Sequence, residues 1–152
     1  MTIITLARSG VITADGFPWT PNFQKPYVAE LIVAYFEYTS VGPPTGVRQL
    51  RFAAFSEDTT APEDVAICAT TGFEPQPNNR TESYCLFPHA YRGVVQGTLG
   101  GDLHWCPWPP GMLFTDDDYF RLRVTNIAVP NDTVRVYAQF RLHKIGKLTI
   151  DT

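Results

Sequence analysis

Lysine is nearly missing from this sequence: Lys25, Lys144 and Lys147 stand against nine arginines. Freestanding β-proteins commonly guard exposed strand edges with lysine, and few guards are available here. Charged residues make up 18% of the 152 positions, below the roughly 25% of an average soluble protein. No apolar run reaches the ~18 residues of a membrane-spanning helix, which excludes such a span. The net charge of −3 excludes a basic nucleic-acid footprint at the level of the whole chain. The first ten residues carry no basic start followed by a long apolar stretch, so a signal peptide is not expected and a reducing cytoplasm is. Cysteine is limited to Cys68, Cys85 and Cys106. That odd number cannot form a disulfide framework, and no intramolecular disulfide is expected.

Chemistry-bearing motifs are equally scarce. There is no Gly-x-Ser-x-Gly elbow, and Gly97-Thr-Leu-Gly100-Gly101 lacks the lysine and helix of a phosphate loop. Cys85-x3-His89 followed by His104-x-Cys106 offers residue types that zinc accepts. The spacing matches no finger pattern, and the reading preferred is two buried thiols and two loop histidines. The same four residues would be the only source of a Cys–His nucleophile pair. Asp116-Asp117-Asp118 supplies three carboxylates in succession, without the alternation or distal Glu of an EF-hand loop. A solvated turn leading into a strand is expected there, with calcium left open. Two sequons, Asn79-Arg80-Thr81 and Asn131-Asp132-Thr133, carry no meaning without secretion. No catalytic, cofactor-binding or metal-binding residue is therefore assigned, no cofactor is implied, and the chain is not expected to be an enzyme.

What the sequence does contain is period-two alternation, almost from end to end. Val134, Val136, Ala138, Phe140 and Leu142 alternate with Thr133, Arg135, Tyr137, Gln139, Arg141 and His143, as a half-buried strand requires. Phe120, Leu122 and Val124 alternate with Tyr119, Arg121, Arg123 and Thr125. Pro130-Asn131-Asp132 lies between the two strands and favours a turn, so the pair is read as a hairpin. Tyr27–Tyr38 is apolar on both faces and is placed centrally between two layers. Val47–Phe55, Val65–Thr70 and Ser83–Phe87 add strands, while Ile3–Leu6 and Gly10–Thr13 are candidates to pair with each other. Leu148–Ile150 is a candidate edge, and Ala61–Val65 a one-turn helix begun by Pro62. Thirteen prolines and eleven glycines divide the chain into eight or nine short strands joined by long loops. That spacing predicts one all-β domain over residues 1–152, a β-sandwich, jelly roll or closed barrel of about eight antiparallel strands. Its core is expected from Leu31, Val33, Phe36, Leu50, Phe52, Leu122, Val124, Val136, Phe140 and Leu142.

Two segments concentrate aromatics and prolines: Phe17-Pro-Trp19-Thr-Pro-Asn-Phe23, and His104-Trp105-Cys-Pro-Trp108-Pro-Pro-Gly-Met112-Leu-Phe114. Proline holds such segments extended, so each could seal one end of the sandwich or present a preorganised apolar patch. Trp19, Trp105, Trp108, Met112 and Phe114 are the candidate interface residues. Low lysine with abundant arginine and aromatics is also the composition of protein interfaces.

With its strand-rich course, loop-heavy layout, Arg-over-Lys bias and closing strands Tyr119–Val124 and Val134–Leu142, the chain resembles the small β-sandwich decoration (cement) proteins of tailed-phage capsids. The resemblance implies a non-enzymatic virion protein made in the host cytoplasm. It further implies a homo-oligomer, a trimer first and a dimer second, that clamps a major capsid protein or another virion component. A neck, tail or fibre role fits the same features. The alternative from a different class is a carbohydrate-binding β-sandwich, with Trp19, Trp105 or Trp108 stacked on sugar faces beside Asp102 and Asp116. Exposure of the tryptophans discriminates between the two.

Overall fold

The computed structural model describes residues 2–13, 16–40, 49–56, 65–69, 80–88, 97–98, 103–125 and 132–145. Wherever the alternation is clean, these residues are strands: β1 (Thr2–Val11), β2 (Phe17–Pro18), β3 (Tyr27–Ser40), β4 (Gln49–Ser56), β5 (Val65–Ala69), β6 (Arg80–Pro88), β7 (Gly97–Thr98), β8 (Leu103–Trp108), β9 (Leu113–Phe114), β10 (Asp118–Thr125) and β11 (Thr133–Lys144). Eight of them are five residues or longer. They build two sheets, a large one in the order β1-β11-β3-β6-β8-β7, with β9 also on β3, and a small one in the order β2-β10-β4-β5. The chain is an all-β sandwich. All described pairings are antiparallel except β6 with β8, which run parallel.

The alternation fixes which face each strand buries, and the two inner faces meet in an aromatic core. β11 contributes Val134, Val136, Ala138 and Phe140, β10 contributes Phe120 and Leu122, and β4 contributes Leu50, Phe52 and Ala54. The predicted hairpin of β10 with β11 does not form, because the two strands belong to different sheets. Both bury the same face against the same core, and Phe120 and Phe140 meet across it with ring centroids 5.4 Å apart. Alternation alone reads identically for strands side by side and strands face to face.

β3 is central within its sheet, with β11 on one flank and β6 and β9 on the other. It is not covered on both faces as expected: Ile32, Val33 and Tyr35 are only half-buried. The β3–β11 register shifts between Gln139 and Phe140, whose partners are Val33 and Leu31. Ile32 is thus an extra residue, and it restores Leu31 to the inward face shared by Ala34, Phe36 and Tyr38. Of the expected core, Leu31, Phe36, Leu50, Phe52, Leu122, Val136 and Phe140 are buried. Val124 and Leu142 pack half-buried against the cluster, and Val33 lies on the other side of the bulge and faces outward. The two short strands expected at the start are one, β1, paired along its length with β11. The Ala61–Val65 helix and the Leu148–Ile150 strand lie outside the described residues, apart from Val65, which opens β5.

Two polar anchors tie loops to this frame. Asp132 is fully buried, receives the Tyr38 hydroxyl proton in a hydrogen bond of 2.5 Å, and accepts the Ile12 amide on its backbone oxygen at 2.9 Å. Gly16 sits at φ 85° where a Cβ would lie 2.7 Å from the Leu122 carbonyl oxygen. Only glycine allows the chain to turn there and lay Phe17–Thr20 along β10. The Trp19 amide then donates to the Phe120 carbonyl at 2.9 Å, and the Phe120 amide donates to Thr20 Oγ1 at 3.0 Å.

Candidate interaction surfaces

That docking of Phe17–Thr20 drives Trp19 into the middle of the sandwich, where it is fully buried. Its ring lies 4.7 Å from Phe120, 5.2 Å from Phe36, 6.0 Å from Trp108 and 6.1 Å from Phe140. Trp108 is 1% exposed and also contacts Phe114 and Phe120, both at 6.4 Å. Phe114 is fully buried, and Met112 packs half-buried against the cluster. The proposed interface set is therefore corrected: Trp19, Trp108 and Phe114 seal this chain's own core and are not presented to a partner. The side chain of Trp105 lies outside what the structure describes; its backbone is paired with Cys85 and Gly97. Sugar stacking on Trp19 or Trp108 is excluded by the same burial. Asp102 lies outside the described residues.

The second segment was expected to be an extended loop and is instead β8, a turn and β9. Among the described residues β7 reaches only His104 and Trp105, so no described strand takes a bond from the Pro107 position on that side, as suits a proline within a strand.

Three of the four possible metal ligands have backbones in the adjacent strands β6 and β8. Cys85 is the partner of Trp105, whereas Cys106 is the partner of Leu86 and His104 of Tyr84, so the two cysteines occupy different rows of the sheet. Burial raises the pKa of the Cys85 thiol above its ordinary value, which opposes a reactive thiolate. His89 lies outside the described residues. In the acidic turn, Asp118 is buried and accepts from the Thr115 amide at 2.7 Å, while Asp116 and Asp117 lie 4.0 and 3.8 Å from the Lys25 ammonium. The three carboxylates thus serve a turn and an exposed ion pair. Among the described residues no group of three potential metal ligands converges.

The outward face of the large sheet is a set of matched cross-strand pairs. Tyr35 and Tyr137 lie at 6.4 Å, Tyr35 Oη and Ser83 Oγ at 2.8 Å, and Thr39 and Thr81 hydroxyls at 2.9 Å. Arg135 pairs with Glu37 at 3.9 Å. Glu30 accepts from Arg141 and meets His143 Nε2, each at 3.0 Å. The His143 hydrogen bond is the chief influence holding the Glu30 carboxyl below its ordinary pKa. Arg141 adds to that effect, and desolvation opposes it. A shallow cleft of about 410 Å³ opens at one end of this face, between Ser9, Thr39, Thr81 and Thr133. Its two charged groups, Glu37 and Arg135, neutralise each other.

At the margin of this sheet lies β1, ten residues long with β11 as its one described neighbour. Its sequence, Thr2-Ile-Ile-Thr-Leu-Ala-Arg-Ser-Gly-Val11, contains no lysine and no proline. Ile3 is 54% exposed and Val11 49%. In an antiparallel edge strand every second residue turns both its N–H and its C=O away from the sheet. Among the described residues no strand covers its outer side, and β1 offers there a long row of backbone donors and acceptors with a single charged side chain, Arg8, along it. The shortage of lysine pointed to such an edge, but no local signal in the sequence identified which strand it would be. Comparison with protein-family models and with curated proteins gives no match to this chain.

Proposed function

We propose that this chain is a non-enzymatic structural protein of a virion-like assembly, a capsid decoration protein that stabilises a shell through protein–protein contacts. The observation that carries the reading is the open edge of β1. An exposed edge of this length and apolar content is a template for pairing with another chain, and a sandwich leaves it open unless a partner covers it. Burial of Trp19 and Trp108 removes the sugar-stacking alternative from both and leaves contact with other proteins as the reading that uses the exposed features. The virion setting and the preference for a trimer rest on the resemblance to phage decoration proteins.

Symmetry restricts how the edge can be used. β1 paired with β1 of a second copy is isologous and closes as a two-fold dimer. A cyclic trimer requires β1 to meet a different surface of the neighbouring copy. Size-exclusion chromatography with light scattering on the wild type and on Thr5→Lys tests both. Thr5 is exposed at the middle of β1, and lysine there is the ordinary edge guard. The expected result is an oligomer at micromolar concentration, reduced to monomer by Thr5→Lys with no loss of thermal stability. A wild-type monomer, or an oligomer indifferent to Thr5→Lys, would contradict the edge as the contact.

A further inference from the structure

The outward arginines of the two sheets are treated differently. On the large sheet, Arg135 and Arg141 each have a carboxylate across the strand, Glu37 and Glu30. On the small sheet, Tyr119, Arg121 and Arg123 of β10 stand beside Phe55, Ala53 and Arg51 of β4, pair by pair. Arg123 and Arg51 are direct register partners, a placement in which like charges repel. Neither has a carboxylate partner among the described residues. Arg51 is exposed, and Arg123 is half-buried with its Nε enclosed and unbonded.

The aromatic residues explain how this face is held. Tyr119 and Phe55 stack at 5.3 Å with an interplanar angle of 18°. The Arg121 guanidinium lies 4.9 Å over the Tyr119 ring and that of Arg123 4.9 Å over the Phe55 ring. Arg123 reaches Phe55 across the small side chain of Ala53, which lies between Arg51 and Phe55 on the same face. A guanidinium lying on a ring engages one of its flat faces. The N–H groups along its edge remain directed in the guanidinium plane, in the fork that matches a carboxylate. The ring contact thus restrains the Arg123 guanidinium before anything binds and reduces the entropy lost on docking.

We propose that the outward face of the small sheet docks an acidic surface of another protein, with carboxylates of the partner meeting Arg51 and Arg123 above the Tyr119–Phe55 stack. Charge complementarity selects this occupant: Arg51 and Arg123 stand side by side with no carboxylate of the described residues against either, and arginine with aromatic residues is the composition of binding hot spots. A nucleic acid fits less well, because a phosphate track is met by a long basic stripe and the chain carries a net charge of −3. A second copy of this chain fits less well too, since each acid among the described residues is either buried or already faces a cation. The proposal does not depend on β1, which belongs to the other sheet.

The test uses fluorescence anisotropy with a labelled poly-glutamate peptide and, separately, a single-stranded DNA oligonucleotide of similar length. Proteins are the wild type, Arg51→Gln/Arg123→Gln, and Arg135→Gln as a control from the large sheet. The expected result is peptide binding that weakens with salt and falls about tenfold in the double variant, as for the loss of two partly exposed charge pairs. Arg135→Gln is expected to leave it unchanged. The double variant should fold, because it relieves a repulsion. If it does not, Arg51→Gln alone at its exposed position gives the same readout, with a smaller loss expected. No peptide binding by the wild type, equal loss in Arg135→Gln, or no loss in the arginine variants overturns the proposal. Tighter binding of the oligonucleotide than of the peptide overturns it in favour of a nucleic acid. Light scattering that shows self-association lost with Arg51 and Arg123, but not with Thr5→Lys, overturns it in favour of a second copy.

Discussion

Trp19 offers the sharpest test of how the core is built, through the contrast between Trp19→Ala and Trp19→Phe. The ring touches four other aromatic rings within 6.1 Å, so truncation to alanine removes the keystone between the sheets. A loss of about 3–5 kcal/mol is the usual range for a buried Trp or Phe cut to Ala, and the number of rings in contact places Trp19 at its upper end. The indole Nε1, however, is enclosed without an acceptor, and a buried unpaired donor costs about 1–3 kcal/mol. Phenylalanine removes that donor together with two ring carbons, whose lost burial costs about 1.6 kcal/mol at 0.8 kcal/mol per carbon group. The two effects oppose each other and nearly cancel. Trp19→Phe is therefore expected to lie within about 1 kcal/mol of the wild type. Urea denaturation followed by circular dichroism measures both variants on one scale. If Trp19→Phe costs as much as Trp19→Ala, the indole N–H is satisfied in solution, and the reasoning about its missing acceptor fails.

Other perturbations test separate parts of the frame. Gly16→Ala places a Cβ 2.7 Å from a backbone oxygen at positive φ and is expected to cost at least about 1–3 kcal/mol by thermal or urea unfolding, whereas Gly111→Ala, with open space around its Cβ site, should cost less. Tyr38→Phe removes a donor from the buried Asp132 carboxylate and is expected to destabilise by about 1–3 kcal/mol in the same assay. Glu30 has its folded pKa depressed below 4.5, so its contribution is present above that value and is lost as pH falls through the lower, folded value. Glu30→Gln should therefore flatten the stability–pH curve below pH ~4.5.

The sequence showed most clearly what each strand hides. The inward positions of β4, β10 and β11 follow from alternation because a half-buried strand has no other way to separate its apolar and polar residues. Sheet membership was not legible for the opposite reason: β10 and β11 bury equivalent faces from opposite sides, and only the loop between them could have told a hairpin from a crossing between sheets. Ile32 shows a second limit. Leu31 and Phe36 share a face only because one extra residue intervenes, and an apolar isoleucine gives no sign that it is the bulge. The aromatic, proline-rich segments carried two readings, and burial decided between them. Trp19 and Trp108 are pinned inward by backbone bonds to β10 and by the β6–β8 register, long-range contacts that local composition does not encode.

The same contrast locates the surface where partners are to be sought. Apolar residues alone do not mark it, since the richest aromatic clusters are inside. Among the described residues it is marked by the backbone row of β1 and by the guanidinium pair Arg51–Arg123, to which no described carboxylate is matched. On the outward face of the large sheet, Glu37 answers Arg135 and Glu30 answers Arg141; these carboxylates limit how strongly that surface can attract an acidic partner. Exposed pairs of this kind contribute about 0–1 kcal/mol to stability, so their main consequence is for specificity. Replacing Glu37 with Gln should therefore leave stability within about 1 kcal/mol of the wild type while freeing Arg135. If Arg51 and Arg123 define an acidic partner's docking site, Glu37→Gln should create a second, weaker site for the poly-glutamate probe on the large sheet. A binding stoichiometry that stays unchanged in Glu37→Gln would show that a freed guanidinium is insufficient without the stacked rings of Tyr119 and Phe55 beneath it.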